Sequence, residues 1–323
     1  MFNLDEPIKY DTDLFEIQYA KAINNVINNG VLTHNRTGID TLSIQHQYFK
    51  LDVRDFELPL LKGKKVYPYM SLKEVLWMLQ GRTDIKWLND HGVTYWDEWK
   101  LKDGTIGKSY GYQYRNFNGV DQIQKLVNDI IHNPESRRLI VSLWNPADMD
   151  QMALPPCEFE YHFSCIPINN QRYEEYDVDL HCRMRSADSF LGVPYNFLFS
   201  AYFLFLICNY CTNSFDNRDK NGYRKKFYNP RYIHLTCDDF HIYTNHINQA
   251  KQYLMNVKEN KNHIIDSEVE CFIKPNIDEN HNIFESIDKY LKAVSDDLKT
   301  HELIHIHKWQ EDVYGPIKAD IAV

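Results

Sequence analysis

At 323 residues the chain is long enough for one large or two ordinary domains with a sizeable core. Hydrophobic residues make up 43% and charged residues 25%, with 12 Gly and 12 Pro, a balance that excludes a fibrous or disordered chain. The net charge of −9 opposes non-specific adherence to nucleic acid or anionic membrane, so neither is expected as a main partner and any phosphate must be bound locally.

The N-terminus (MFNLDEPIKYDTD) is acidic and lacks an apolar leader, which points to the compartment of synthesis, the cytoplasm. Seven cysteines at irregular spacings fit free thiols in a reducing environment. Residues 13–29 read as a helix opened by Asp13 and Glu16, with Gly30 able to close it in the left-handed conformation. TLSIQHQYFKL (41–51) is strand-like. Ser71 and Glu74 have capping-box spacing at the head of a helix that Gly81 ends, and apolar residues at helical intervals predict another over 121–132.

Strand signals then dominate. RRLIVSLW (137–144) is followed by EFEYHFSC (158–165), where Phe159, Tyr161, Phe163 and Cys165 alternate with Glu158, Glu160, His162 and Ser164. DVDLHCRMR (177–185) alternates likewise. The apolar run Phe197 to Cys208 has 12 residues, short of the roughly 20 that cross a bilayer, and reads as a buried helix before the strand RYIHLTC. Strands grouped in this way predict an α+β fold with no membrane span. No repeat or flexible linker divides the chain, so a single domain over 1–323 is expected, with insertions near 212–230 and 275–300.

Two features invite chemistry. Cys157 follows Pro155 and Pro156, which restrict the backbone and give a thiol a rigid mounting just before a strand. Arg137 and Arg138, and Arg185 followed by Ser186, supply guanidinium groups able to lower a thiol pKa and grip phosphate. Two other patterns are decoys. His301, Glu302 and His305 spell a zinc-protease motif, but the segment alternates with period two, and on a strand the histidines would lie about 13 Å apart. Cys208 and Cys211 form a lone CxxC with no second pair. No metal is expected.

These segments, taken in order, resemble one family over nearly the whole chain. NRTGIDTLSI (35–44), EVLWMLQGRTDIKWLNDHGVTYWDEW (74–99), SYGYQYR (109–115), SRRLIVSLWNPADMDQMALPPC (136–157), RSADSFLGVPYN (185–196), DDFHIYTNH (238–246) and GPIKADIAV (315–323) resemble the thymidylate synthase family. The resemblance implies a thymidylate synthase-like fold, a large mixed sheet packed by helices, and a sheet-to-sheet homodimer. It implies reductive methylation of dUMP to dTMP, with 5,10-methylenetetrahydrofolate as co-substrate.

On the same resemblance Cys157 matches the nucleophile that adds to C6 of the pyrimidine, Glu74 the carboxylate that moves protons through ordered water, and Tyr110 the phenol that helps remove the C5 proton. Arg36 and Arg185 match phosphate ligands of one subunit, with Ser186 beside them, and Arg137 and Arg138 match those donated by the partner. Asn196 matches the base-reading amide, and His241 and Tyr243 the residues that hold the 3′-hydroxyl. Trp96, Trp99, Asp188 and the C-terminal Val323 match the folate side.

The chain departs from the family pattern at Glu158, where His is usual, at Met184 and at His162. Glu158 beside an enolate is electrostatically awkward unless protonated or paired, and leaves the base-side water network open. Two alternatives therefore stand beside the synthase. One is a dUMP hydroxymethylase of the same superfamily, its dCMP counterpart being disfavoured because Asn196 is retained. The other is a catalytically silent nucleotide- or RNA-binding regulator, which the retained Cys157, Glu74 and arginines oppose.

Overall fold

The computed structural model describes residues 15–169, 173–259, 284–298 and 314–320, together with the backbone of two short strands, Cys271–Ile273 and Ile304–Ile306. Its centre is a seven-stranded sheet of β1 (Val31–Thr33), β2 (Thr41–Asp52), β3 (Ile140–Ser142), β4 (Glu158–Ile168), β5 (Glu174–Met184), β6 (Ala187–Asp188) and β7 (Lys226–Tyr243). The strand order is β1-β2-β7-β5-β4-β3, with β6 against β7. All pairings are antiparallel except β5 with β7 and β6 with β7. This is the mixed sheet of an α+β fold, as the grouped strand signals predict. β7 starts at Lys226, so the last residues of the polar stretch 212–230 pair with β5.

Helices cover one face. α1 (Phe15–Asn29) turns Tyr19, Ile23 and Val26 inward at helical spacing. Gly30 follows it without a left-handed φ. Glycine is needed there because a Cβ would come within 2.4 Å of the Val26 carbonyl oxygen and 3.2 Å of the Ser43 nitrogen. α2 (Pro68–Leu79) begins three residues before Ser71. Tyr67 is its N-cap and Pro68 its first residue, so the Ser71–Glu74 capping box does not form and Glu74 is released for another task. α3 (Ile85–Asp90), α4 (Gly111–Arg115), α5 (Gln122–His132), α7 (Ile247–Glu259) and α8 (Ile287–Asp297) add the remaining cover. Asp121 caps α5 by accepting from the Gln124 N–H.

α6 (Val193–Asn213) contains the apolar run and extends it to 21 residues. By length and composition it could cross a bilayer, yet 89% of its most apolar stretch is buried between the sheet and α2. Apolar residues all round mark a core helix with neighbours on every side. Cys208 and Cys211 lie inside this core as free thiols. In the zinc-protease pattern, His305 lies on the strand Ile304–Ile306, while His301 and Glu302 fall outside the described residues.

Two irregularities place side chains for chemistry. β4 and β5 slip register between Glu158 and Glu160, a bulge that puts one extra residue on β4. The extra residue resets the alternation, so Glu158 is buried with Tyr161 and Phe163 and does not join Glu160 on the polar face. The second is at the end of β5. Its pairing with β7 stops at Met184–Cys237, and β6 takes over at Ala187–Phe240. Arg185 and Ser186 occupy this break, where the central strands part.

Candidate active site

A cleft of about 950 Å³ opens where β6, the end of β7, the head of α6 and the loop before β4 converge. Cys157 lines it. The thiol is held from two sides: Arg185 donates from Nε to the Pro156 carbonyl and from Nη2 to the Pro155 carbonyl, both at 2.9 Å, and Nη2 lies 3.9 Å from Cys157 Sγ. The Cys157 N–H donates to the Tyr110 hydroxyl at 2.9 Å, which holds the phenol beside the thiol. Burial pushes the Cys157 thiol above its ordinary pKa, while Arg185, Tyr110 and the more distant Arg36 pull it back.

Tyr110 is mounted under strain. Its φ of 25° is rare for a residue with a side chain, and such backbone costs on the order of 1–3 kcal/mol. Gly111 beside it packs so closely on the Arg82 turn that a Cβ would meet the Arg82 carbonyl oxygen at 2.2 Å. Trp96 packs edge-on against Tyr110, and Trp99 packs against Trp96.

Glu74 projects from α2 into the cleft. Trp96 Nε1 donates to its Oε1 at 2.6 Å and the Tyr95 hydroxyl to its Oε2 at 2.9 Å. Burial pushes this carboxyl up to about 7 against the pull of those two donors, so it exchanges its proton near neutrality. Trp99 lines the cleft. Trp96 lies behind it, hydrogen-bonded to Glu74 and packed against Trp99.

Arg36 enters from the turn between β1 and β2. Asn35 builds that turn: its Oδ1 accepts from the Thr37 N–H and hydroxyl, its Nδ2 donates to the Ile39 carbonyl, and Gly38 takes a φ of 76°. Ser186, Asn196, His241 and Tyr243 also line the cleft. Asp188 lies on β6, its carboxylate accepting from the Phe190 and Leu191 N–H groups at 3.1 and 3.2 Å. His241 stands 3.5 Å from Asp239, which accepts from the Ser43 hydroxyl at 2.5 Å. Burial alone would lower the imidazole pKa, but Asp239 and Asp188 raise it above the ordinary value.

Arg137 and Arg138 are exposed just before β3 and do not line this cleft. Val323 falls outside the described residues, although Ala319 of the same C-terminal segment reaches the cleft and the Asp320 backbone carbonyl accepts from His246 Nε2 at 2.6 Å. Three participants escape sequence reasoning. Tyr95 and Asp239 sit inside segments already singled out, where only their hydrogen bonds reveal them. Trp144, stacked against the Arg185 guanidinium, is one aromatic among many.

Fold and cleft together define a class, an α+β protein whose cleft sets a thiol beside a buried carboxyl and two guanidinium groups. The sequence model of the thymidylate synthase family matches residues 17–279. Thymidylate synthase of Mycoplasma genitalium is 36% identical over 266 residues, which cover 73% of this chain and 84% of that protein. The chain belongs to the thymidylate synthase family.

Proposed function

We propose that the chain is a thymidylate synthase that methylates dUMP to dTMP, with 5,10-methylenetetrahydrofolate supplying both the one-carbon unit and the hydride. The observation that carries this reading is the cleft itself, which gathers Cys157, Glu74, Arg185, Asn196 and His241 from distant parts of the sequence in a chain of this family. Cys157 adds to C6, making C5 nucleophilic as an enolate. With the resting thiol raised by burial, its proton leaves as sulfur attacks, and Arg185 and Tyr110 favour the thiolate at that moment. Tyr110, fixed by the Cys157 N–H, relays the C5 proton. Glu74 exchanges protons with water around the pyrimidine and folate.

Arg36, Arg185 and Ser186 grip the phosphate, and Arg137 and Arg138 complete the grip from a second protomer of a homodimer. Asn196 reads the uracil edge, and His241 and Tyr243 hold the 3′-hydroxyl. Trp99 and Asp188 bind the folate, Trp96 supports them through Glu74, and Val323 closes over it. Residues 1–323 act as one domain in the cytoplasm.

Methyl is favoured over hydroxymethyl by the place of Glu158. It is buried behind Asn196 and does not line the cleft, so it is badly placed to order a water beside the exocyclic carbon. Incubation with dUMP and methylenetetrahydrofolate, with both products identified, tests the proposal. The synthase yields dTMP and dihydrofolate. Formation of 5-hydroxymethyl-dUMP with tetrahydrofolate retained establishes the hydroxymethylase, and stoichiometric binding without turnover establishes the silent regulator.

A further inference from the structure

Glu158 is almost wholly buried in the β4 bulge, its carboxylate accepts from Cys182 Sγ at 3.5 Å, and the Asn196 amide is near enough to favour its ionised form. Asn196 Oδ1 is turned toward Gly192, 3.6 Å from where a Cβ would sit there, which leaves Nδ2 for Glu158. We propose that Glu158 is a positioning residue that fixes which way the Asn196 amide faces, and thereby the choice of uracil over cytosine. This rests on the reading of Asn196 as the base-reading amide.

An asparagine amide is nearly symmetric in shape and opposite in function at its two ends. With Oδ1 toward N3 and Nδ2 toward O4 it complements uracil. Turned by half a rotation, the same side chain offers a donor to N3 and an acceptor to an exocyclic amino group, and so complements cytosine. The amide cannot discriminate unless something holds it. An ionised carboxylate only accepts, so it ties down one Nδ2–H and leaves the other for O4. The flipped amide would set Oδ1 against the carboxylate. A protonated Glu158 reverses this, since its O–H can donate to Oδ1 and accommodate the cytosine-reading orientation.

The ionisable groups facing Glu158 are acids: Glu74 on α2, Tyr110 and Tyr114 at α4, Tyr161 on β4, Cys182 on β5, Cys237 on β7 and the adjoining Cys157. Burial pushes Glu158 up to about 7, with Asn196 and Cys182 opposing and Glu74 reinforcing. Uracil selectivity should therefore weaken as pH falls through neutrality.

The test is binding of dUMP and dCMP to the full chain by calorimetry between about pH 6 and about 8.5. The ratio of the two dissociation constants is the readout, because ionisation of the nucleotide phosphate and of Cys157 affects both ligands alike. In the wild type the preference for dUMP should rise roughly tenfold with pH, the scale of one mismatched buried hydrogen bond. Glu158→Gln, which can face the amide either way, should lower the preference and make it independent of pH. A flat wild-type ratio, or a pH dependence that survives in Glu158→Gln, overturns the proposal. Asn196→Ala separates the two layers: if it leaves the ratio unchanged, the base-reading role of Asn196 fails. If it collapses the ratio while the wild type shows no pH dependence, only the role of Glu158 fails.

Discussion

Glu74 and Glu158 are two carboxyls buried without a cation, each lifted from 4.5 to about 7, with desolvation the main cause in both. Between those values the folded chain holds protons that the unfolded chain has lost, so their contribution to stability is full below about 4.5 and disappears as pH rises through about 7. A shift of this size corresponds to about 3 kcal/mol per group. Urea unfolding at acid and mildly alkaline pH should show the loss, and Glu158→Gln should reduce it by on the order of 2–3 kcal/mol. An unaltered pH dependence in the variant would show that Glu158 is solvated or paired in the folded chain. At Cys157 the expectation concerns chemistry. Cys157→Ser should abolish turnover yet leave dUMP binding largely intact, because the hydroxyl is nearly isosteric and far less nucleophilic. Asn196→Asp should move preference toward dCMP by tenfold or more, read as the ratio of kcat/KM for the two nucleotides.

Elements position these residues through a few backbone irregularities, and those irregularities set the limit of what sequence reveals. The helix 121–132, the buried apolar helix and the main strands are legible from periodicity, and the ordered segments from NRTGIDTLSI to DDFHIYTNH lead to the cleft. Glu158 is misread as a polar-face residue because a bulge adds one residue, and alternation cannot show where a strand slips. Ser71 looks like a cap because its spacing to Glu74 is right, while Pro68 at the first helical position starts the helix a turn earlier. Gly30 is read as a left-handed stop, whereas the Val26 carbonyl of its own helix, together with the close passage of β2, dictates it. Gly111 is the same kind of position at the site. Gly111→Ala should push α4 off the Arg82 turn, destabilising the fold by on the order of 1–3 kcal/mol and lowering kcat by moving Tyr110. Wild-type urea midpoint and kcat in that variant would refute the account.

At the scale of the whole molecule, the proposed phosphate grip is unfinished within a single chain. Arg36 and Arg185 line the cleft, but Arg137 and Arg138 stand exposed before β3, outside it. The sheet carries its helices on one face, and its other face presents half-exposed polar and aromatic side chains such as Tyr48, His162 and Arg183. If two such faces meet about a two-fold axis, each protomer's arginine pair can serve the other's cleft. The arrangement makes a specific demand on mixtures of inactive chains. Cys157→Ser retains its arginines and lacks the nucleophile. Arg137→Ala retains the nucleophile and weakens its neighbour's phosphate grip. In a mixed dimer, one cleft combines the Cys157 of the second chain with the Arg137 of the first and is complete, while the other lacks both. Random exchange at equal concentrations should therefore restore about a quarter of wild-type activity, with each variant alone close to inactive. Exchange can be followed independently with differently tagged chains. If mixed dimers form and activity stays at the level of the separate variants, Arg137 does not act across the interface, and the phosphate must be held by Arg36, Arg185 and Ser186 alone.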